Sequence, residues 1–458
     1  SHLYSFSFAP KKDWTYKFAP QAEILDYMRE CATEYGLRPH LHFKHEVALA
    51  EYDDARHRWH VTSTDGTTVE TQYLITATGQ LNRPEKPDIP GLNGFKGPVF
   101  HSAEWRHDIE LKHKNIAVIG TGASAIQFVP EIAKLAKTLN LFQRSAPYVI
   151  PKPDREYSTM EHWLLQNVPG VYALSRLKTY VQYESRFLGF RFLKQVMGFM
   201  SWSWRRFMHN EVNDDTLRTK LTPNYDMGCK RILIANNYYS TLAKPNVEVN
   251  NTGIASIEEH GITDGKGAYY PADIIVLGTG FKATEFLSPI RIKGRSGVTL
   301  NDAWKNGAEA YLGINVHQFP NMFMLYGPNT NLGHNSIVYM LESQINYVMR
   351  AITFAGKEHA SAIEVLAEPQ RIFNNSVQHD LKETVWSQGC TSWYQTDDGK
   401  NTVNWPGFTF QYRQRTKIFD AENYDVSMQW TIYYKQHPET PIANSQLGSL
   451  ATGQDQLF

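Results

Sequence analysis

Gly120, Gly122, Ser124 and Ala125 give this chain its clearest chemical signature, in the run Ile116-Ala-Val-Ile-Gly-Thr-Gly-Ala-Ser-Ala125. The apolar residues before Gly120 read as a buried strand and those after it as the start of a helix. In that context GxGxxA is a cradle for a dinucleotide pyrophosphate. Gly120 permits the tight turn, Gly122 lets the backbone approach a phosphate, and Ala125 allows close helix–strand packing. The helix N-terminus adds N–H groups and a positive dipole end. Thr121 and Ser124 complete the predicted binding loop. The next strand ends Phe142-Gln143-Arg144-Ser145, with no acid for a ribose 2′-hydroxyl. Arg144 and the Ser145 hydroxyl suit a 2′-phosphate instead, so NADPH is expected over NADH. A second formal match, Gly278-Thr-Gly280-Phe-Lys-Ala283, is rejected as a phosphate loop, because Pro289 arrives too soon for a full helix and no second strand follows.

Other reactive residue types lack support. His40, His42 and His45 lie close together, with His40 and His42 on one face of an extended segment, but no carboxylate accompanies them and no metal is expected. No Ser–His–Asp spacing or nucleophilic cysteine stands out. Cys31, Cys229 and Cys390 are too widely spaced for a disulfide framework or a metal knuckle, which points to a reducing compartment. Lys230-Arg231 taken alone reads equally well as a solvated basic pair.

The elements that must position these residues follow from periodicity. The chain has 458 residues, 42% of them hydrophobic, enough for two or three domains with a sizeable core. Basic and acidic residues both total 46, which gives nucleic acid no electrostatic footprint. Residues Pro20 to Leu37 have a helical period with Ile24, Met28 and Cys31 on one face and Gly36 as the stop. A β-meander follows over His42–Glu51, Trp59–Ser63 and Val69–Ala77, with Asp65-Gly66 as a hairpin turn. Asn115–Gly120, a helix through about Ala136 and Leu139–Gln143 make the βαβ unit. Met160 to Val212 reads as a helical insertion or lid rather than a membrane-surface segment. Asn246–Asn250 and Asp273–Leu277 are further strands, and Gln446–Phe458 is a polar tail. No apolar run reaches bilayer length and no secretory signal opens the chain, so a cytoplasmic protein without membrane association is expected. Ser1 to Trp14 has the character of a domain's middle.

Between the meander and the βαβ unit lies Phe95-Lys-Gly97-Pro-Val-Phe-His101-Ser-Ala-Glu-Trp105. This resembles FxGxxxHxxxW, the fingerprint of Baeyer–Villiger monooxygenases within the flavin-containing monooxygenase class. Trp105 stands where N- and S-oxygenating relatives tend to carry another aromatic, and Arg106 replaces the usual Pro or Asp. The resemblance spans nearly the whole chain. Ala77-Thr78-Gly79-Gln80 and Leu277-Gly-Thr-Gly-Phe281 look like the family's crossings between flavin and NADPH domains. Gly228-Cys-Lys230-Arg231 looks like its GxKR segment. Phe319 to Asn329 and Gly333-His-Asn335-Ser336 resemble the segments over the isoalloxazine ring, and Ser392-Trp393-Tyr394 the one touching the nicotinamide half of NADP.

The resemblance implies an α/β fold of two Rossmann-like domains, with the FAD domain discontinuous and N-terminally incomplete and the NADPH domain inserted into it. The expected parts are 1–108, 109–275 with a helical insertion at about 160–212, and 276–458. It implies FAD and NADPH as cofactors, held by Thr78, Gly79, Gln80, Asn329, Asn335 and Trp393 besides the residues already named, with Lys230 on the NADP phosphate. NADPH reduces the flavin, which adds dioxygen, and the resulting peroxide attacks a ketone to give an ester or lactone. That chemistry calls for a buried, water-free site with a fixed cation, a role assigned to Arg231. His101 is expected to organise the interdomain linker rather than move protons. An N-terminal GxGxxG is part of the family pattern but is not in these residues. The chain alone is therefore expected to bind FAD weakly, which stoichiometric yellow protein after purification would contradict. N- or S-oxygenation, and from another class an inactive NADP-binding fragment or redox sensor, are the competing readings. A ketone and dioxygen are the expected small-molecule partners; Leu332–Ser336, Trp405, Phe408 and Phe410 suggest an apolar ketone. The oligomeric state is not fixed by the sequence.

Overall fold

The structure, a computed structural model, describes residues 2–191, 194–387 and 392–428; Cys390 and the tail Gln446–Phe458 lie outside the described residues. Helix α1 (Gln21–Glu34) fills the first predicted helix. It turns Tyr27 and Cys31 inward against Trp14, and the chain leaves it through Gly36 at φ +63°. Strands β1 (Val47–Asp53), β2 (Arg58–Ser63) and β3 (Thr68–Thr71) form an antiparallel meander. Asp65 secures its turn by accepting from Thr67 N at 2.9 Å.

Two details differ from expectation. The first strand begins at Val47, because Pro39 sits in a 3-10 turn over Arg38–His40 that breaks the extension; His40 and His42 do not share a strand face. The run Val69–Ala77 splits, and β4 (Leu74–Thr76) leaves the meander to pair in parallel with the wholly buried residues Met322–Met324. Met322–Met324, buried on both faces, takes this parallel partner, although Ile75 in β4 stays 44% exposed.

Strands β5 (Val99–His101) and β6 (Asn115–Ile119) precede the glycine loop, and α2 (Ala125–Ile132) and β7 (Thr138–Phe142) follow it. Regular helix ends before the predicted limit, although Ala136 N still bonds Ile132 O at 2.9 Å. Strand β8 (Val149–Ile150) opens the helical insertion, made of α3 (Thr159–Asn167), α4 (Val171–Glu184), α5 (Arg186–Arg191) and α6 (Lys194–Glu211). Short α7 (Asp215–Lys220) and β9 (Leu233–Ile234), which pairs with β8, close it. Trp204 anchors α6, donating from Nε1 to Tyr239 OH at 2.7 Å inside the core. Helix α8 (Tyr238–Leu242) and β10 (Val247–Asn250) lead to a small meander, β11 (Ile254–Glu258), β12 (Gly261–Asp264) and β13 (Tyr269–Pro271), and then to β14 (Ile274–Leu277).

Five strands form one parallel sheet in the order β10-β7-β6-β14-β5. Alternate residues serve opposite faces. Ile116, Val118, Leu139, Leu141 and Val276 pack beneath α2 and α8, while Ala117, Ile119, Phe142, Ile275 and Leu277 meet the small meander. Burial on both faces explains why these strands read as continuous apolar runs. The expected limits at 108/109 and 275/276 fall inside this sheet, since β5 precedes the first and β14 crosses the second.

The remaining elements are β15 (Arg291–Lys293), α9 (Leu300–Ala303), β16 (Met322–Met324), α10 (Ile337–Lys357), β17 (Ala360–Val365), α11 (Ala367–Lys382), α12 (Thr409–Arg415) and β18 (Tyr424–Met428). They build the largest core around the first meander, and Trp59 joins the two by donating to Pro320 O at 2.8 Å. One expectation is corrected here. Cys31 is free, but buried Cys229 is disulfide-bonded. Linear spacing does not report which residues folding brings together, and the inference of a reducing compartment loses its support.

Candidate active site

The carboxyl ends of β5, β6, β7 and β14 open on one side of the parallel sheet, where folds of this kind bind nucleotides. Gly120 turns there at φ +107°, and a Cβ on it would stand 2.3 Å from Gly278 O. At Gly122 a Cβ would meet no heavy atom within 4 Å, so that peptide faces open space where a phosphate can approach. Ala125 is fully buried, and Gly278 packs beside it; a Cβ at Gly278 would lie 3.3 Å from that of Ala125. Gly278 thus belongs to the floor of the Gly120 loop and not to a second phosphate loop. Thr121 Oγ1 ties the loop to the next strand end by donating to Ser145 O at 3.3 Å. Ser124 stands at the N-cap of α2 and makes no side-chain cap bond.

Lys230 reaches this corner from the loop before β9. Its Nζ donates to Ser145 Oγ at 3.0 Å and lies 4.6 Å from the Tyr225 ring centroid. Burial and then the Arg144 charge hold the Lys230 pKa below the ordinary lysine value. Neither cation has an ion-pair partner among the described residues. Two like charges kept close without an acid make a site for a dianion.

Arg231 is exposed in the protein alone, but its charge reaches the phenols of Tyr326 and Tyr394. Burial pushes Tyr326 up to about 12, with Arg231 pulling the other way. Tyr326 is gripped from three sides despite a left-handed φ of +63°. Its N donates to Gln344 Oε1 at 2.9 Å, its carbonyl accepts from Gln80 Nε2 at 3.2 Å, and its hydroxyl donates to Asn331 Oδ1 at 2.6 Å. Such conformations in a bulky residue persist only where the surroundings over-determine them, and they cluster at functional sites. Trp393, 36% exposed, lies 4.4 Å from buried Tyr394, ring to ring. Thr78 is exposed and Gly79 has φ +74°, so this strand end also opens outward.

The structure gives the other two predicted cofactor residues protein partners. Asn329, at φ +56°, donates to Asn401 O at 2.9 Å and Asn404 O at 3.1 Å. Asn335 donates to Glu184 Oε2 at 2.5 Å. Sequence reasoning did not single out Tyr326 or Glu184. The only signal was a bulky residue ahead of Gly327-Pro328 and an acid within an aromatic helix.

The fingerprint residues lie along β5 and its flanks. Gly97 is required, since a Cβ there would stand 2.2 Å from Asp273 O. Trp105 packs between Phe100 and Phe128, at 5.3 and 5.5 Å, and so braces α2 directly behind the Gly120 loop. His101 is buried at the end of β5. Its Nδ1 accepts from Ala103 N at 3.1 Å, its ring meets Phe281 at 5.6 Å, and burial lowers its pKa. Phe95 is buried in the small-meander core. These are joints between strands. Among the described residues no group of three or more His, Cys, Asp or Glu is placed to hold a metal ion, and no helix is long and apolar enough to cross a membrane.

The flavin-binding monooxygenase-like family matches residues 2–290. A Baeyer–Villiger monooxygenase of Pseudomonas aeruginosa is 43% identical over 429 residues, which are 93% of this chain and 81% of the relative. The chain belongs to this family, in its Baeyer–Villiger branch. It is an NADPH- and FAD-dependent enzyme of the α/β class, with the fold of Baeyer–Villiger monooxygenase structures, which have FAD and NADP Rossmann domains. Among solved structures, an oxidised steroid monooxygenase bound to NADP has a TM-score of 0.82 and 28% identity, over 93% of this chain and 90% of that one. OTEMO in complex with FAD and NADP has a TM-score of 0.82 and 27% identity, over 91% and 86% of the two chains. The residues present fit NADP and the ring end of FAD. The open peptide at Gly122 and the unpaired Arg144 and Lys230 suit NADP. Two buried polar atoms lack hydrogen-bond partners: Gln80 Oε1 suits a flavin ring edged with donors and acceptors, and Ser392 Oγ the nicotinamide half of NADP.

Proposed function

We propose that this monooxygenase oxidises an apolar ketone and that Arg231 is the catalytic cation. Bound FAD, reduced by NADPH, supplies the activation of dioxygen that inserts one oxygen beside the ketone carbonyl. The chain's own residues bind, orient and shield. Gly120, Thr121, Gly122, Ser124 and Ala125 cradle the NADPH pyrophosphate, and Arg144, Ser145 and Lys230 hold the 2′-phosphate. Thr78, Gly79, Gln80 and Trp393 border the flavin and nicotinamide.

The observation that carries this reading is the adjacency of Lys230 and Arg231. The first joins the anion corner, and the second, exposed beside it, has its charge within electrostatic reach of the buried phenols of Tyr326 and Tyr394. A guanidinium stays protonated at any working pH and offers several donors, so it stabilises negative charge as that charge develops. Phe187, Phe408, Trp405 and Tyr412 pack together as an apolar core behind the C-terminal loops, which suits a site kept dry.

Cyclohexanone and acetophenone serve as probes. Arg231→Ala in the FAD-loaded enzyme is expected to keep NADPH binding and lose ester formation by roughly 100-fold or more, the usual scale for one lost anion-stabilising group. Ester formation within about twofold of the parent refutes the role of Arg231.

A further inference from the structure

Glu184 closes α4 inside the helical insertion, yet its carboxylate is buried among loops that lie 150 to 225 residues further along the chain. Its Oε1 accepts from Thr409 N at 2.5 Å. Its Oε2 accepts from Thr409 Oγ1 at 2.8 Å and from Asn335 Nδ2 at 2.5 Å. The hydroxyl proton of Thr409 is thereby committed to Glu184, so the contact of Tyr180 OH with Thr409 Oγ1 at 3.0 Å has Tyr180 as donor. Asn335 Oδ1 accepts from Ser336 N at 2.8 Å, and Ser336 caps α10, accepting from Val338 N at 3.3 Å. One carboxylate thus fixes the chain at the starts of α10 and α12.

Apolar groups complete the joint. Phe187, one turn beyond Glu184, packs against His334 at 5.1 Å and Phe408 at 4.8 Å. His334 has a fully buried side chain, and its Nε2 lies 3.7 Å from Glu184 Oε2. Burial, helped by the Arg186 charge, lowers its pKa to about 3, so the ring beside the carboxylate is neutral. The burial of Glu184 is balanced by hydrogen-bond donors and not by a counter-charge.

We propose that Glu184 is a positioning residue that sets the width of the ketone pocket from the helical insertion. The inference rests on the proposed oxidation of an apolar ketone, for which residues 332–336 and 405–410 are the expected pocket lining. Among the described residues the Glu184 carboxylate contacts Asn335, Thr409 and His334, all in those two segments, and neither the Gly120 loop nor Lys230. Glutamine cannot replace it. One oxygen becomes an NH2 that must face Thr409 N or Asn335 Nδ2, both donors, and Asn335 cannot flip without leaving Ser336 N unpaired.

The test compares wild type, Glu184→Gln and Thr409→Val as FAD-loaded enzymes, with cyclohexanone and acetophenone as probes. Three quantities are read: kcat/KM for ketone, KM for NADPH, and hydrogen peroxide released per NADPH. Hydrogen exchange at residues 334–336 and 408–410 is followed in parallel. Glu184→Gln is expected to lower ketone kcat/KM by about 10-fold to 100-fold, the scale of a displacement near 1 Å at a reacting group. NADPH KM stays within about twofold, peroxide release rises, and exchange quickens at both segments. Thr409→Val moves every readout the same way by about 3-fold to 10-fold, and carries the test alone if Glu184→Gln does not fold. Unchanged ketone efficiency and unchanged exchange in a folded variant overturn the proposal. So does an equal loss for ketone and NADPH, which marks a merely structural role. A wild type that makes no ester from either ketone counts against the functional reading instead, and the exchange data then judge the tie by themselves.

Discussion

Lys230→Met asks whether the cation pair at the end of β7 chooses the nucleotide. The substitution keeps an unbranched stem over the Tyr225 ring, which now lies 4.6 Å from Nζ, and removes only the charge and its bond to Ser145. Losing a charge-assisted hydrogen bond to phosphate costs about 1.5–3 kcal/mol, which converts to roughly 13-fold to 160-fold in an equilibrium constant. The strain that burial and Arg144 place on the ammonium belongs to the free enzyme. It is common to NADPH and NADH and cancels from their ratio. The assay is steady-state kcat/KM with each nucleotide at saturating ketone. The ratio NADPH/NADH should fall by the factor above, almost wholly through NADPH. Arg144→Gln should lower it less, by no more than about fivefold, because that side chain is exposed and its charge is screened. The lysine also sets a pH limit. Its pKa is lowered and the phosphate favours its charged form, so NADPH KM should rise as pH climbs through that lowered value. The rise should be absent in Lys230→Met. A ratio that stays within about twofold, or a loss shared equally by both nucleotides, refutes the reasoning.

The two glycines of the loop should fail in different ways. Gly120→Ala places a Cβ 2.3 Å from Gly278 O at φ +107° and should lower the thermal midpoint, with at least ~1–3 kcal/mol from backbone strain alone. Gly122→Ala meets no protein atom within 4 Å and should melt as the parent does while NADPH KM rises; the opposite pattern in calorimetry and kinetics would undo the assignment of the open peptide. A third expectation concerns stability against pH at the pair of His317 and Glu364, whose Nδ1 and Oε1 lie 3.2 Å apart. The bond to Glu364 raises the His317 pKa, so its contribution is full below the ordinary imidazole value of 6.5 and fades as pH rises through the raised one. Burial pushes Glu364 up, but His317, the Gln318 amide and Arg295 pull it below 4.5 on balance, so its contribution persists above 4.5 and is lost as pH falls through the lowered value. His317→Gln should cost at most ~1 kcal/mol, given the exposure of the ring, and only in the mildly acidic window between those limits. Melting curves with the same gap on the alkaline side would contradict it.

Strands buried on both faces were the most legible part of the fold. Asn115–Ile119, Thr138–Phe142 and Ile274–Leu277 announce themselves because, apart from Asn140, every residue after the first is apolar, as covering both faces favours. The fate of Leu74–Thr76 was not legible. Three residues carry too little period to show whether they continue a meander or join Met322–Met324, some 248 positions away. Cys229 failed for the same reason, since its bonding depends on a neighbour that only the fold supplies.

The same distinction separates the residues of the site. A phosphate loop is a local device: its turn, its open peptide and its packing contact fall within six residues, so Gly120, Gly122 and Ala125 could be read in order. The pair Arg144 and Lys230 was half-local, since one ends the strand of the βαβ unit and the other needed the family pattern to be noticed. Tyr326 and Glu184 act through partners from distant segments: Gln80 lies 246 positions from Tyr326 and Thr409 lies 225 from Glu184. Neither belongs to a motif, because what they hold is the relation between motifs. Residues that touch a cofactor are therefore written into short spacings. The residues that keep a pocket at its working width become visible only once the chain has closed around them, and Glu184 is where that difference can be measured.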